Sequence, residues 1–238
     1  MAETSPLLAV LIDADNVPAK YAEAVLREVT VHGQPGLRRV YGDWSNDHIK
    51  GWISMATEHG LLLHQESAFV KGKNTSDIGL VIDAMDIMHQ GRFDGFVLVS
   101  SDSDFTALAI RIREQGLTVI GIGEAKTPDA LKNACNRFVR LENLVDEAPA
   151  QGEAKGRKDS PGKARVDEAT PLIKAAMDKI ESDDDWVSLS QIGQEILKDV
   201  PDFDSRTYGE RSLGRLVKKL KGFRTKMTAS NQMLVTYE

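Results

Sequence analysis

Six short strand-like runs alternate with stretches of helical spacing over the first 141 residues, and this alternation leaves few folds open. The runs cover residues 7–12, 37–41, 61–64, 96–100, 118–123 and 138–141. The first, LLAVLI, is apolar throughout, as a strand covered on both faces must be. Between the runs, residues 19–29, 49–59, 76–89, 105–115 and 128–134 have helical period, and Gly60, Gly91 and Gly116 stop three of them. Strands alternating with helices predict an α/β fold, a mostly parallel sheet with helices on both faces.

The pattern breaks at residues 148–165, APAQGEAKGRKDSPGKAR, which hold no large apolar side chain. Such a stretch cannot offset its ordering entropy by burial and reads as a flexible linker. The chain is thus expected to form a first domain over 1–147 and a second over 166–238, both of ordinary domain size. In the second, residues 169–180, 189–197 and 212–220 have helical spacing, and 223–227 and 232–237 form a hairpin pattern. Three helices and a hairpin are the outline of a small winged-helix domain.

With 30 Lys and Arg against 36 Asp and Glu, the net charge of −6 argues against coating nucleic acid by bulk charge. Its distribution reverses that argument. Residues 1–150 hold fourteen bases and twenty-one acids, whereas residues 205–227 hold eight cations against the single acid Glu210. Arg211, Arg215, Lys218 and Lys219 are spaced to share one face of a helix, with Leu213, Leu216, Val217 and Leu220 on the other. A basic helix beside a hairpin is a nucleic-acid footprint; the plainer reading is a solvated face balanced by the acidic residues 183–185. Trp186 and Phe223 are expected in the small core, and Tyr208 is open between core and base stacking. The lone Cys135 excludes an intramolecular disulfide, and no apolar run approaches the ~18 residues of a membrane span. The first apolar run is too short for a signal peptide, so a reducing, cytoplasmic setting without membrane contact is expected.

Functional groups of an open parallel sheet gather at the carboxyl ends of its strands. Asp13 and Asp15 follow the first strand in LIDADN, and Asp102 and Asp104 follow the fourth in VSSDSDF. Asp77 opens the helix after KGKNTS. Carboxylates sharing a pocket repel unless a cation neutralises them, and hard oxygen donors suit Mg²⁺ or Mn²⁺. An ion so held can activate water and stabilise in-line displacement at a phosphate. Each acid has a plainer role as a helix cap or turn former, which Asp15 and Asp104 fit best because helices follow them. Asn16 can orient a carboxylate or a water, or cap a helix. Asp83 stands between a surface position and a supporting one behind the site, and Asp43 reads as structural. Lys71 and Lys73 either meet substrate phosphates or line a solvated loop.

The residues leave three functions open. One is a metal-dependent hydrolase of phosphodiesters, with Asp13, Asp77, Asp102 and Asp104 as catalytic and metal-holding acids. A second is a non-catalytic RNA-binding or regulatory adaptor. A third is a HAD-like phosphatase in which Asp13 is the nucleophile, a reading weakened by Asn16 and by the lack of a cap insertion.

Taken together, IDADN, KGKNTSDIGLVIDAMD and VSSDSDFTALAIRIREQG resemble the NYN domain, a PIN-like ribonuclease domain of the bacterial LabA-like (DUF88) type, over about residues 7–144. The resemblance implies a Rossmann-like (PIN-like) sheet with a cluster of acids binding Mg²⁺ or Mn²⁺ for phosphodiester hydrolysis. By motif it assigns Asp13 to the first family acid, Asp77 to the acid before the central helix, and Asp102 and Asp104 to the pair after the fourth strand. Ser101 stands where the family often has Gly. Residues 166–237, with VSLSQIGQEI and RTYGERSLGRLVKKLKGF before a hairpin, resemble a LOTUS (OST-HTH) domain, which implies RNA binding. Phosphodiester chemistry does not itself read the 2′-hydroxyl, so DNA stays open as a substrate.

Overall fold

The computed structural model describes residues 5–65, 75–145, 165–180 and 185–237. The chain divides into two compact units, residues 1–147 and 148–238.

The first unit contains β1 (Leu7–Asp13), α1 (Ala22–His32), β2 (Gln34–Gly42), α2 (Gly51–His59), β3 (Leu62–Gln65) and α3 (Thr75–His89). There follow β4 (Gly95–Val99), α4 (Thr106–Glu114), β5 (Thr118–Gly123), α5 (Asp129–Ala134), β6 (Arg137–Arg140) and α6 (Leu141–Val145). The six strands form one sheet in the order β3-β2-β1-β4-β5-β6, parallel at every pairing. The chain winds outward from β1 through β2 to β3, then returns to the other side of β1 for β4. The topological switch point therefore lies between β1 and β4, where Ile12 pairs with Val99.

Alternate residues of each strand serve opposite faces, as the two-residue period requires. Val10, Ile12, Val97, Val99, Ile120 and Ile122 meet α1, α2 and α6 through Val25, Val29, Trp52, Ala56, Leu141 and Leu144. Ala9, Leu11, Phe96, Leu98 and Val119 meet α3, α4 and α5 through Leu80, Ala84, Leu108, Ile112 and Leu131. Gly60, Gly91 and Gly116 have φ of 64°, 65° and 77°, the left-handed conformation that glycine adopts without a Cβ penalty. These are the three predicted helix stops.

β2 is longer than its pattern suggests, because it begins at Gln34 and runs through Pro35 and Gly36. Pro35 removes a ladder donor. Its position tolerates this: β3 pairs only with Arg39–Gly42, and the register to β1 slips between Leu8 and Ala9.

The second unit holds α7 (Thr170–Asp178), β7 (Val187–Ser188), α8 (Leu189–Asp199), α9 (Leu213–Lys219), β8 (Phe223–Met227) and β9 (Met233–Tyr237). The expected three helices and hairpin are present. A third strand that the pattern does not announce, β7, pairs antiparallel with β9, giving the order β7-β9-β8. Two residues are too few to show an alternation. Ile173, Ala176, Ile192, Ile196, Phe203, Leu216, Val217 and Val235 form its core. Among the described residues, no helix is long and apolar enough to cross a membrane.

Candidate metal centre and nucleic-acid face

The last residue of β1 is Asp13, only 1% exposed. Its Oδ1 accepts the amides of Asp15 at 3.1 Å and Asn16 at 3.3 Å. Its Oδ2 accepts the Asn16 side-chain amide at 2.7 Å and the Ser100 hydroxyl at 2.8 Å. Burial pushes this carboxyl above its ordinary pKa, against the pull of the hydrogen bonds from Ser100 and Asn16. The Ser100 hydroxyl also accepts the amide of Asp102 at 3.0 Å. One hydroxyl thus joins the turns after β1 and β4 across the switch point.

The turn after β4 repeats the turn after β1. Asp102 accepts the amide of Asp104 at 2.9 Å, as Asp13 accepts that of Asp15. The carboxylate that reaches an amide two residues on belongs to the first acid of each DxD pair, because such a turn is closed from its leading residue. Ser101 accepts the Glu124 amide at 2.8 Å and ties this loop to the end of β5.

Asp77, Asp102 and Asp104 each bring one carboxylate oxygen within 4.8 Å of the others. Asp77 and Asp102 are half-buried and Asp104 is exposed. The Asp77 carboxyl is pushed up to about 6, first by burial and then by the charges of Asp13, Asp102, Asp104 and Asp15. A hard divalent cation relieves that repulsion, and three carboxylate oxygens converging on one point are a donor set that fits Mg²⁺ or Mn²⁺. Asp13, expected as a ligand, is not one of the three. It is buried, with both oxygens engaged in hydrogen bonds.

Asp83 is held by β2: Arg39 Nη1 donates to both of its oxygens and the Tyr41 hydroxyl to Oδ2. Burial and this bond push the Tyr41 phenol well above its ordinary pKa. The sequence pattern missed this role of Arg39 and Tyr41. Asp43 accepts from Ser45 and from Gln65 Nε2 at 3.0 Å and closes a local turn. Asp15 is exposed. Lys71 and Lys73 lie outside the described residues.

In the second unit Arg211, Arg215 and Lys218 are exposed. Arg211 is not on the helix, because Ser212 caps α9 by accepting the Arg215 amide. Lys219 donates to the buried Glu210, so its charge is matched within the unit. Arg206 is likewise matched by Asp204, with Nη2 at 2.7 Å from Oδ2. Trp186 is half-exposed, with the Lys226 ammonium 4.1 Å from its ring centre. It is therefore not a core residue: a cation over one ring face requires that face to reach the surface. Tyr208 packs against Phe203, and Phe223 meets Tyr237 edge-on.

Fold and site together define a PIN-like α/β unit with an acidic centre at its switch point, followed by a small winged-helix-like unit. The family model of the NYN domain matches residues 7–142, and the chain belongs to that nuclease family. The model of the OST-HTH/LOTUS domain matches residues 166–235. No curated protein matches the chain. Among solved structures, a protein of unknown function from Vibrio parahaemolyticus is 20% identical, with a TM-score of 0.50 over 60% of this chain and 98% of that one. MurG of Acinetobacter baumannii is 13% identical, with a TM-score of 0.39 over 74% of this chain and 56% of its own.

Proposed function

We propose that the chain is a Mg²⁺- or Mn²⁺-dependent ribonuclease that hydrolyses RNA phosphodiester bonds and holds RNA through its C-terminal unit. The convergence of Asp77, Asp102 and Asp104 carries this reading. A cation held there would supply charge neutralisation and water activation at a phosphate. The protein's own part is positional. The Asp102 amide bond to Ser100 and the Glu124 amide bond to Ser101 fix the loop bearing two of the acids. Asp13 adds charge behind the trio and joins β1 to that loop. Arg211, Arg215 and Lys218 offer phosphate contacts at the opening of α9 and along it.

A phosphatase with Asp13 as nucleophile is disfavoured by geometry. An attacking carboxylate needs a lone pair facing the substrate, whereas Asp13 is 1% exposed and accepts two hydrogen bonds on each oxygen. The test is cleavage of labelled RNA by the full chain with Mn²⁺, Mg²⁺ or EDTA. Products that form only with metal, and not with Asp102→Asn, support the reading. Metal-independent cleavage, or unaltered cleavage by Asp102→Asn, overturns it. Binding without cleavage returns the adaptor.

A further inference from the structure

α3 carries Asp77 in its first turn, yet apolar burial alone does not fix how this helix lies on the sheet. Leu80, Ala84, Ile87 and Met88 are buried, but Ile78 is 61% exposed and Ile82 58% exposed. Apolar side chains therefore stand on both its inner and its outer face. Hydrophobic burial is non-directional, so rolling the helix by about one residue, ~100°, exchanges one set of apolar side chains for another. The same roll would carry Asp77 away from Asp102 and Asp104.

A directional contact is present at Asp83. One nitrogen of Arg39 donates to both of its oxygens, and the Tyr41 hydroxyl adds a further bond. The Arg39 and Asp83 side chains are 23% and 21% exposed, so water weakens the contact less than at an open surface. Charge-assisted hydrogen bonds of this kind prescribe geometry as well as energy. Both donors come from β2, and Tyr41 is the register partner of Asp13. Asp83 follows Asp77 by six residues, or ~9 Å along a helix.

We propose that Arg39, Tyr41 and Asp83 form a positioning clamp that sets the roll of α3 and so delivers the Asp77 carboxylate to Asp102 and Asp104. The clamp rests on the reading of those three acids as a cation site. Its members are positioning residues, since they act on the site only through the helix.

The test is Mn²⁺ binding to the full chain, followed by the loss of the free-ion electron paramagnetic resonance signal, with thermal unfolding recorded beside it. Asp83→Asn is expected to weaken Mn²⁺ binding about tenfold, the lower end for groups that orient metal ligands. Tyr41→Phe, which keeps the packing, is expected to weaken it less, and Arg39→Lys to retain more affinity than Arg39→Leu. Arg113→Leu is the control, because Arg113 links α4 to α5 through the carbonyls of Asn133 and Ala134 at 3.2 and 3.1 Å. It should lower the melting temperature yet leave Mn²⁺ affinity within about twofold, as distant sites act independently. Folded Asp83→Asn and Tyr41→Phe proteins that bind Mn²⁺ like the wild type would overturn the clamp. So would an equal loss in Arg113→Leu. If Asp83→Asn does not fold, Tyr41→Phe decides. A wild-type chain that takes up no Mn²⁺ overturns the cation site itself and the clamp with it.

Discussion

In the N-terminal unit three carboxylates are drawn together at one point, and burial together with neighbouring acids holds one of them far above its ordinary pKa. In the C-terminal unit the cations of residues 205–227 are parcelled out instead. Arg206 meets Asp204, Lys219 meets Glu210 and Lys226 covers Trp186, while Arg211, Arg215 and Lys218 point to solvent. Concentrated like charge costs stability and suits one compact counter-ion. Dispersed charge costs little and suits an extended polyanion. The difference predicts all-or-none behaviour in the first unit and graded behaviour in the second.

The largest expected effect is at the loop after β4. Asp102→Asn removes a member of the converging trio and should lower RNA cleavage by roughly 10²-fold or more, the scale of losing one preorganised electrostatic group. Circular dichroism should show the fold intact. A milder loss would place the second unit's cations, rather than the acids, at the heart of activity.

The pH dependence follows from Asp77. Its carboxyl is raised to about 6, so below that pH it carries a proton and attracts a cation less strongly than the carboxylate does. Mn²⁺ affinity and cleavage should therefore fall as pH drops through about 6. Without metal, the stability effect has the opposite sense. Between the ordinary carboxyl value of 3.8 and about 6, the folded state binds more protons than the unfolded one. The contribution of Asp77 to stability therefore declines as pH rises through that window. Asp77→Asn should raise the melting temperature of the metal-free chain at pH 8 while abolishing Mn²⁺ binding, as calorimetry with and without Mn²⁺ would record. A melting temperature that falls on this substitution would mean that Asp77 is not under repulsion.

The second unit should respond in increments. Replacing Arg211, Arg215 and Lys218 together by alanine should weaken binding of single-stranded RNA and lower the log–log salt slope by about 2, near 0.7 per phosphate contact. The smallest effect is that of Lys219→Ala. It should leave the salt slope unchanged and act on stability instead, because it removes the ammonium that the buried Glu210 accepts. A slope change at Lys219 equal to that at Lys218 would erase the distinction between a cation that meets a buried acid and one exposed to solvent.

What the sequence reveals of all this depends on range. The strand–helix alternation, the three glycine stops and the two DxD pairs are local patterns, and the structure places them accordingly. That β1 and β4 are neighbours follows from the switch-point rule. Which acid of each pair closes its turn does not, because it depends on a side-chain torsion. The tie of Arg39 and Tyr41 to Asp83 spans 44 and 42 residues, and an arginine inside a strand has no local mark to separate it from a solvated one. The match of Lys219 to Glu210 is hidden for a similar reason: an acid just before a basic helix is ordinary until the fold buries it against one of the cations.

The Ser100 hydroxyl adds a constraint in time. Asp13 is made well before the hydroxyl that both donates to it and receives the Asp102 amide, which lies 87 residues later. Contacts that distant in sequence form late, after the loop-closure entropy of the intervening chain has been overcome. A growing chain therefore carries its first acid long before it can carry the site.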